Sequence, residues 1–434
     1  MQIDKTPLLS IRPPAKVDMH ILLPGSKSIT NRALVMAALA KGSSVLSNPS
    51  FSEDSRYLWE ALKQIGIRID PLPDQAKIVI DGKGGQFMGG NKGVFLGNAG
   101  TAVRFLTSLL CLVPGTHKVD GDPQMRRRPI GGLVDCLNQL GGDVKCIFKN
   151  GCPPVIIKGG KLKGGEALID GRQSSQFISS VAMVSPYAQM DVQLGISGGL
   201  VSRGYLDMTL KLMQRFGVNV QRKGYSSLYI KVPQRYQPSE LVIEPDAAGA
   251  NYFLAIAAVT GGRAYISSLG TNSIQAETRF AKVLAQMGCK VVKRKDRIEL
   301  KGERLCGIEI DMSDIPDSVQ TLACVGLFAS GPTRIRNVAH LRWKETDRIS
   351  ALCTELKRIG AGVKEFKDGL EIKPALRYAP AVVNTYNDHR MAMSFAVAGA
   401  MIPGLKISGY LAVSKSLPEF WDILKSQGFE LVFS

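Results

Sequence analysis

The chain has 434 residues, 45% of them apolar, and carries 55 Lys and Arg against 37 Asp and Glu, a formal net charge of +18. That apolar share can fill large cores and the length suits two domains, while no apolar stretch reaches the roughly 18 residues of a membrane-spanning helix. Eight scattered cysteines without a C-x-x-C pair and only four histidines argue against a disulfide framework or a metal site and for a reducing cytoplasm.

The opening MQIDKTPLLS lacks the basic, apolar and small-residue regions of a signal peptide. Beyond it, a short amphipathic helix, a glycine and an apolar or β-branched run return six times: Trp59–Ile69, Val134–Val144, Leu210–Val220, Ala281–Val291, Cys353–Val363 and Trp421–Leu431. The marker glycines are Gly66, Gly141, Gly217, Gly288, Gly360 and Gly428, and each fits the position just past a helix, where only a residue without Cβ enters the left-handed region cheaply. A period of roughly 70 residues is too long for a common solenoid repeat and suits a small α/β unit.

Each unit also holds a second helix that is apolar nearly all round: Asn31–Ala40, Ala102–Leu112, Gln176–Val184, Ala250–Val259, Val319–Phe328 and Arg390–Ala400. Such helices belong in a core. Polar or charged strings precede all six, in order PGSKS, GNAGT, GRQSS, EPDAAG, IPDS and YNDHR. Helix N-termini expose unpaired N–H groups and the positive end of the dipole, so they suit anions. Six together predict a polar centre built from all the repeats.

Pro24–Arg32 opens the first buried helix, with Lys27 at its start; it is not a Walker loop, and solvent-facing Lys27 and Arg32 on a capped helix is the bland alternative. Leu96–Thr101 opens the second, where Gly100 would let phosphate oxygens reach backbone N–H groups. Arg126–Arg128 precede a helix expected from Pro129, and at least one could fork onto a phosphate. Ser174, Ser175 and Gln176 open the third helix with two hydroxyls and an amide; Ser202 and Tyr205 are softer candidates. In the fifth unit Asp317 is either an N-cap or a general base. Lys344 and Arg348, four apart, can share one helical face, a solvated helix start being the alternative. Arg390 opens the sixth helix, and Lys415 lies before a helix entry at Leu417-Pro418.

Taken in order, the strings PGSKSxxNRA, GNAGTAxR, RPIGGLVD, SSQF, IPD, KETDRI and YNDHRMAM, with the final Lys415 region, resemble the 5-enolpyruvylshikimate-3-phosphate synthase family over nearly the whole chain. The resemblance implies a two-lobe inside-out α/β barrel of six βαβαββ repeats, three per lobe, with helices inside and sheets outside. The first lobe would hold residues 25–243 and the second residues 1–24 and 244–434, with the active site in the cleft where helix N-termini meet. It implies transfer of the enolpyruvyl group of phosphoenolpyruvate to the 5-hydroxyl of shikimate 3-phosphate, by addition and elimination, without metal or cofactor. It also implies sensitivity to glyphosate, which occupies the donor site in the family.

Carried over residue by residue, the resemblance makes Asp317 the base for the 5-hydroxyl, Lys27 the acid near the donor methylene and Glu345 a second proton-transfer candidate. Lys27, Gly100, Arg128, Gln176 and Lys415 match positions that hold the donor phosphate; Arg348 and Arg390 match those that hold its carboxylate. Ser174, Ser175 and Ser202, with Gln176, match the shikimate-phosphate cradle. Lys27, Ser28, Arg32, Tyr205, Asp317 and Lys344 match positions around the shikimate ring. Where well-known members have an asparagine four residues before the KETDR lysine, this chain has His340, whose charge on contact with the substrate would depend on pH.

UDP-N-acetylglucosamine enolpyruvyl transferases share fold and donor, but usually show a Lys-Asn pair near the N-terminus and a cysteine in the loop around Asp122–Pro129. Here the pair is Lys27-Ser28 and the loop has no cysteine. A basic nucleic-acid-binding protein predicts aromatic platforms among its basic residues; aromatics are 7% and none cluster with Arg126–Arg128. The charge is therefore read as a basic cleft for small anions, in a cytoplasmic monomer with no nucleic-acid or membrane partner.

Overall fold

Near-continuous burial along every second helix and alternating burial along the strands set the architecture of the computed structural model, which describes residues 7–434. The first six helices are α1 (Lys27–Leu39), α2 (Glu53–Gln64), α3 (Gly100–Leu110), α4 (Gly131–Gln139), α5 (Ser175–Val184) and α6 (Arg203–Arg215). The next six are α7 (Ala247–Thr260), α8 (Phe280–Gln286), α9 (Val319–Gly326), α10 (Arg348–Arg358), α11 (His389–Gly399) and α12 (Phe420–Ser426). Odd-numbered helices are the apolar ones: every residue of α3, α9 and α11 is buried, and all of α7 but Thr260. They begin up to four residues earlier than apolar content alone indicates, because the polar strings ahead of them form their first turns.

Even-numbered helices are the repeated motif, and all six end in the same way. Gly66, Gly141, Gly217, Gly288, Gly360 and Gly428 have φ between 83° and 114°. The N–H after each glycine reaches back to a carbonyl five residues earlier, as in Ile67 N–Leu62 O at 3.2 Å and Val218 N–Met213 O at 2.9 Å. This double-bonded ending satisfies carbonyls that would otherwise be orphaned and turns the chain into the next strand.

Two compact units result: Gly25–Glu244, and the residues up to Pro24 together with Pro245–Ser434. In the first, α1 and α5 both pack on α3; in the second, α7, α9 and α11 pack on one another. Three four-stranded sheets surround each group. All six sheets share one topology. In the unit after α2, Lys92–Phe95 runs parallel to Gly115–Asp120, which pairs antiparallel with Val155–Gly159, itself antiparallel to Asp143–Cys146. The α3 and α4 segments lie between these strands in sequence, giving βαβαββ.

Three of the six units are not continuous in sequence. The sheet of α1 and α2 takes its parallel edge from Glu240–Val242, paired with Lys41–Ser47. The sheet of α7 and α8 takes its edge from Asp18–Ile21, paired with Arg263–Ser267. The sheet of α11 and α12 takes a central strand from Leu8–Arg12, between Lys406–Ser408 and Glu430–Phe433. Among the described residues no helix is long and apolar enough to cross a membrane.

Candidate active site

In the first lobe, polar contacts join the starts of α3 and α5 and tie the start of α1 to α2. Gln176 Nε2 donates to Thr101 Oγ1 at 3.2 Å, joining the first turns of α5 and α3. Ser174 caps α5 by accepting from Gln176 N at 3.2 Å, and Ser175 is buried behind it. Lys27, the first residue of α1, is buried and its Nζ lies 2.9 Å from Asp54 Oδ2 in α2. The bland alternative of a solvent-facing lysine is therefore excluded. A buried pair of this kind is stabilising only while both partners remain, since removing one leaves a desolvated charge.

Arg32 is also enclosed, at 1% exposure. Its Nε donates to Thr209 Oγ1 at 2.7 Å and its Nη1 to Ser28 O at 2.8 Å. The guanidinium lies 5.2 Å from the Phe105 ring centre and 5.9 Å from that of Tyr205. Burial pushes its pKa down to about 10, so it remains a cation. Arg32 thus braces α1 against α3 and α6 while placing charge beside Tyr205. Ser202, at the N-terminus of α6, holds φ at 55°, a left-handed conformation that non-glycine residues rarely keep without a local constraint.

The three arginines before α4 divide their roles. Arg126 forks onto Asp120 at 2.9 and 2.7 Å, Arg127 is exposed, and Arg128 is buried with Nη1 on Asn98 O at 3.0 Å and Asn98 Oδ1 at 2.9 Å. Ile130 N and Gly131 N both donate to Gly151 O, so α4 begins at Gly131 and not at Pro129. Gly100 also gives room within the protein: a Cβ there would lie 2.5 Å from Arg128 Nη2 and 2.8 Å from Arg104 Nη1. Its missing side chain leaves room for guanidinium groups.

In the second lobe the convergence is centred on Asp317. It lies in the turn Pro316–Ser318 ahead of α9, and no side chain caps that helix. The N-cap alternative is overturned because the Asp317 carboxylate is engaged elsewhere: Arg390 Nη2 donates to its Oδ2 at 2.5 Å and Arg348 Nη1 to its Oδ1 at 3.4 Å. Arg348 also holds Glu345 Oε2 at 2.8 Å and Asp388 Oδ2 at 2.8 Å. Burial pulls the Arg348 pKa down, but Asp388, Glu345 and Asp317 outweigh it and hold the guanidinium firmly charged. Arg390 reaches α7 through Tyr252 Oη at 3.2 Å.

Three further expectations need correction. Lys344 and Arg348 do not share a helical face, because Asp347 caps α10 by accepting from Ser350 N at 3.0 Å and the helix begins at Arg348. Lys344 sits before it, in the connection from the turn Ala339–Trp343. His340 is buried in that turn, and burial, followed by the nearby Lys344 charge, pushes its imidazole down to about 3. It is neutral at physiological pH, so its charge does not vary there. Lys415 is buried at the end of the turn Tyr410–Lys415, and α12 begins only at Phe420.

Sequence reasoning missed Asp54, Asn98, Glu277 and Asp388. Asn98 and Asp388 lie inside strings already singled out, GNAGT and YNDHR, where attention went to the glycine and the cation. Asp54 and Glu277 carry no local signal, since only the fold brings them to Lys27 and Asp317. Among the described residues no group of three or more His, Cys, Asp or Glu could hold a metal ion.

The family model described as EPSP synthase (3-phosphoshikimate 1-carboxyvinyltransferase) matches residues 11–424. A 3-phosphoshikimate 1-carboxyvinyltransferase of Nostoc sp. is 46% identical over 406 residues, 93% of this chain and 95% of the relative. One from Marinomonas sp. is 41% identical over 419 residues, 96% and 99% of the two chains. The solved structure of EPSP synthase from Acinetobacter baumannii superposes with a TM-score of 0.83 at 25% identity, covering 99% of this chain and 100% of that one.

Proposed function

We infer, since the chain belongs to the EPSP synthase family, that it transfers the enolpyruvyl group of phosphoenolpyruvate to the 5-hydroxyl of shikimate 3-phosphate and releases phosphate. The observation that carries the chemistry is the Asp317 carboxylate held by Arg390 at 2.5 Å and Arg348 at 3.4 Å. Two guanidinium groups and a carboxylate supply both a clamp for an anionic donor and a base beside it.

In the addition step the 5-hydroxyl oxygen bonds to C2 of the donor and its proton passes to Asp317, while C3 takes a proton from Lys27 or Glu345. In the elimination C3 returns a proton and the C2–O bond to phosphate breaks, phosphate leaving with the electron pair. Positioned proton transfer contributes about 10²–10⁴-fold, and orientation and charge stabilisation supply the remainder. A donor carboxylate arriving at Arg348 and Arg390 competes with Asp317 for them. Loosening those ion pairs makes Asp317 more basic when the donor is bound.

In this reading Lys27, Gly100, Arg128, Gln176 and Lys415 serve the donor phosphate, and Ser174, Ser175, Gln176 and Ser202 serve the shikimate phosphate. Lys27, Ser28, Arg32, Tyr205, His340 and Lys344 stand around the ring, His340 as a neutral hydrogen-bonding group. The first lobe, residues 25–243, would supply the phosphate cradle and Lys27, and the second the base Asp317 with Glu345. The basic excess and the absence of a long basic run support small anions as partners and a monomer without nucleic acid. Eight free cysteines support a reducing cytoplasm.

The test is phosphate release from phosphoenolpyruvate by the purified protein without added metal. It should require shikimate 3-phosphate and should not occur with UDP-N-acetylglucosamine. Turnover of the UDP-sugar alone would sink the assignment.

A further inference from the structure

We propose that Glu277 is a positioning residue for the reaction, a buried carboxyl that fixes the turn carrying Asp317 and so aims the Asp317 carboxylate. The proposal rests on the reading of Asp317 as the base. Glu277 stands in the turn Ala276–Arg279, ahead of α8, and is 3% exposed. One carboxyl oxygen, Oε2, accepts a short hydrogen bond from Ser318 Oγ. The other, Oε1, accepts from the Asp317 backbone N–H at 3.4 Å.

Asn251 of α7 closes the arrangement, its Nδ2 donating to Glu277 O at 3.0 Å and to Ser318 Oγ at 2.8 Å. Asn251 and Ser318 are both buried. Three separate segments are thereby latched at Asp317 and Ser318, the two residues immediately ahead of α9. With Pro316 fixing one side of the short turn, the peptide of Asp317 has little freedom left, and its side chain emerges toward Arg348 and Arg390. Displacing a reacting group by about 1 Å costs on the order of 100-fold in rate, so an anchor on this peptide bears directly on turnover.

The same placement couples the two carboxyls. Burial first, and the Asp317 charge second, push the Glu277 carboxyl up to about 8, against the pull of its hydrogen bonds and Arg390. The charged groups facing it are Asp317 on the 316–318 turn and Arg390 from α11. Of its other neighbours, Arg279 pairs with Asp314 at 3.3 Å and Lys293 Nζ is bonded to Thr278 Oγ1 at 2.9 Å, while Lys282 of α8 is exposed. As Glu277 ionises, a second negative charge appears beside the base and alters its proton affinity.

Steady-state kinetics of Glu277→Gln, Asp317→Asn and the double variant over a range of pH test this. Glu277→Gln, which cannot ionise, should abolish an inflection of kcat expected in the wild type above the ordinary carboxyl range and lower kcat roughly 10- to 100-fold on its alkaline side, leaving KM for shikimate 3-phosphate within about twofold. Adding it to Asp317→Asn should cause no further loss, because both act through one group. A folded Glu277→Gln with wild-type kcat and an unchanged pH profile overturns the proposal, as do multiplicative losses in the double variant. Full turnover by Asp317→Asn would instead remove the base reading itself, and this inference with it. Should Glu277→Gln fail to fold, Ser318→Ala breaks the same latch from the other side and should reproduce the kcat loss.

Discussion

Replacing Gly100 by alanine should move a guanidinium group and leave the fold in place. The new Cβ would stand 2.5 Å from Arg128 Nη2, 2.9 Å from Arg128 Cζ and 2.8 Å from Arg104 Nη1. Non-bonded heavy atoms settle near 3.5 Å, so the tip of Arg128 must retreat by about 1 Å. Its Nη1 now holds Asn98 O at 3.0 Å and Asn98 Oδ1 at 2.9 Å, and a retreat of that size carries at least one bond past its limit. A hydrogen bond from a charged donor contributes about 1.5–3 kcal/mol. If that much alignment is lost from a donor-phosphate contact, affinity falls roughly 10- to 100-fold. Both groups that must yield are the ends of flexible side chains, and alanine is the better helix former, so global stability should change by less than about 1 kcal/mol. Calorimetric titration of each substrate against wild type and Gly100→Ala, with an unfolding curve for each, makes the comparison. Phosphoenolpyruvate affinity should fall while shikimate 3-phosphate affinity stays within about threefold. Equal losses for both ligands, or none for the donor, would refute the steric argument.

Asp317→Ala should fold and should lower kcat by about 10²–10⁴-fold; near-normal turnover would leave Asp317 as an ion-pair residue only. Lys27→Met strands the buried Asp54 carboxylate and should cost about 3–5 kcal/mol in urea unfolding as well as activity, whereas loss of activity at full stability would show that the pair is not structural. His340 is held neutral down to about 3, while in the unfolded chain it protonates near its ordinary 6.5. The unfolded state therefore binds the extra proton between those values, so this group's contribution is present above about 6.5 and is lost as pH falls, by up to about 1.4 kcal/mol per unit. His340→Asn should flatten that part of the stability curve, and an imidazole titrating near 6.5 by NMR would contradict the buried placement. Wild-type turnover should be inhibited by glyphosate in competition with phosphoenolpyruvate, and Gly100→Ala should be less sensitive; an insensitive wild type would mean that the donor site is shaped differently.

The parts of this molecule written in local sequence were legible. Each of the six marker glycines takes the left-handed turn its position demands, and the six apolar helices are core helices, because backbone conformation and burial follow from residue type within a few positions. The Lys344–Arg348 relation was misread because helical spacing was assumed through a segment that Asp347 interrupts as a cap. His340 was misread because an imidazole's charge depends on what surrounds it, and burial is invisible in a string. Glu277 and Asn251 escaped notice for a related reason: their significance comes from meeting Ser318 across separate segments. Gly100 was singled out, but its nearest neighbour turned out to be the guanidinium of Arg128, which is remote from it in the chain.

The interrupted repeats bear on how the chain is made. Every strand of the unit Gly25–Glu244 lies within that stretch, so it can finish its sheets as soon as residue 244 is available. The other unit cannot: Asp18–Ile21 waits for Arg263–Ser267, and Leu8–Arg12 waits for Lys406–Ser408 and Glu430–Phe433. At about 5–20 residues per second of synthesis, the first strand to leave the ribosome stays without its partners for tens of seconds. Pairings of such separation also form slowly, and an unpaired strand is an edge on which other chains can aggregate. A gene cut before residue 245 should therefore yield an amino-terminal half with complete sheets. A carboxy-terminal half lacking the first 24 residues would carry one sheet without its edge and another without a central strand, and should recover its solubility when those residues are supplied as a separate peptide.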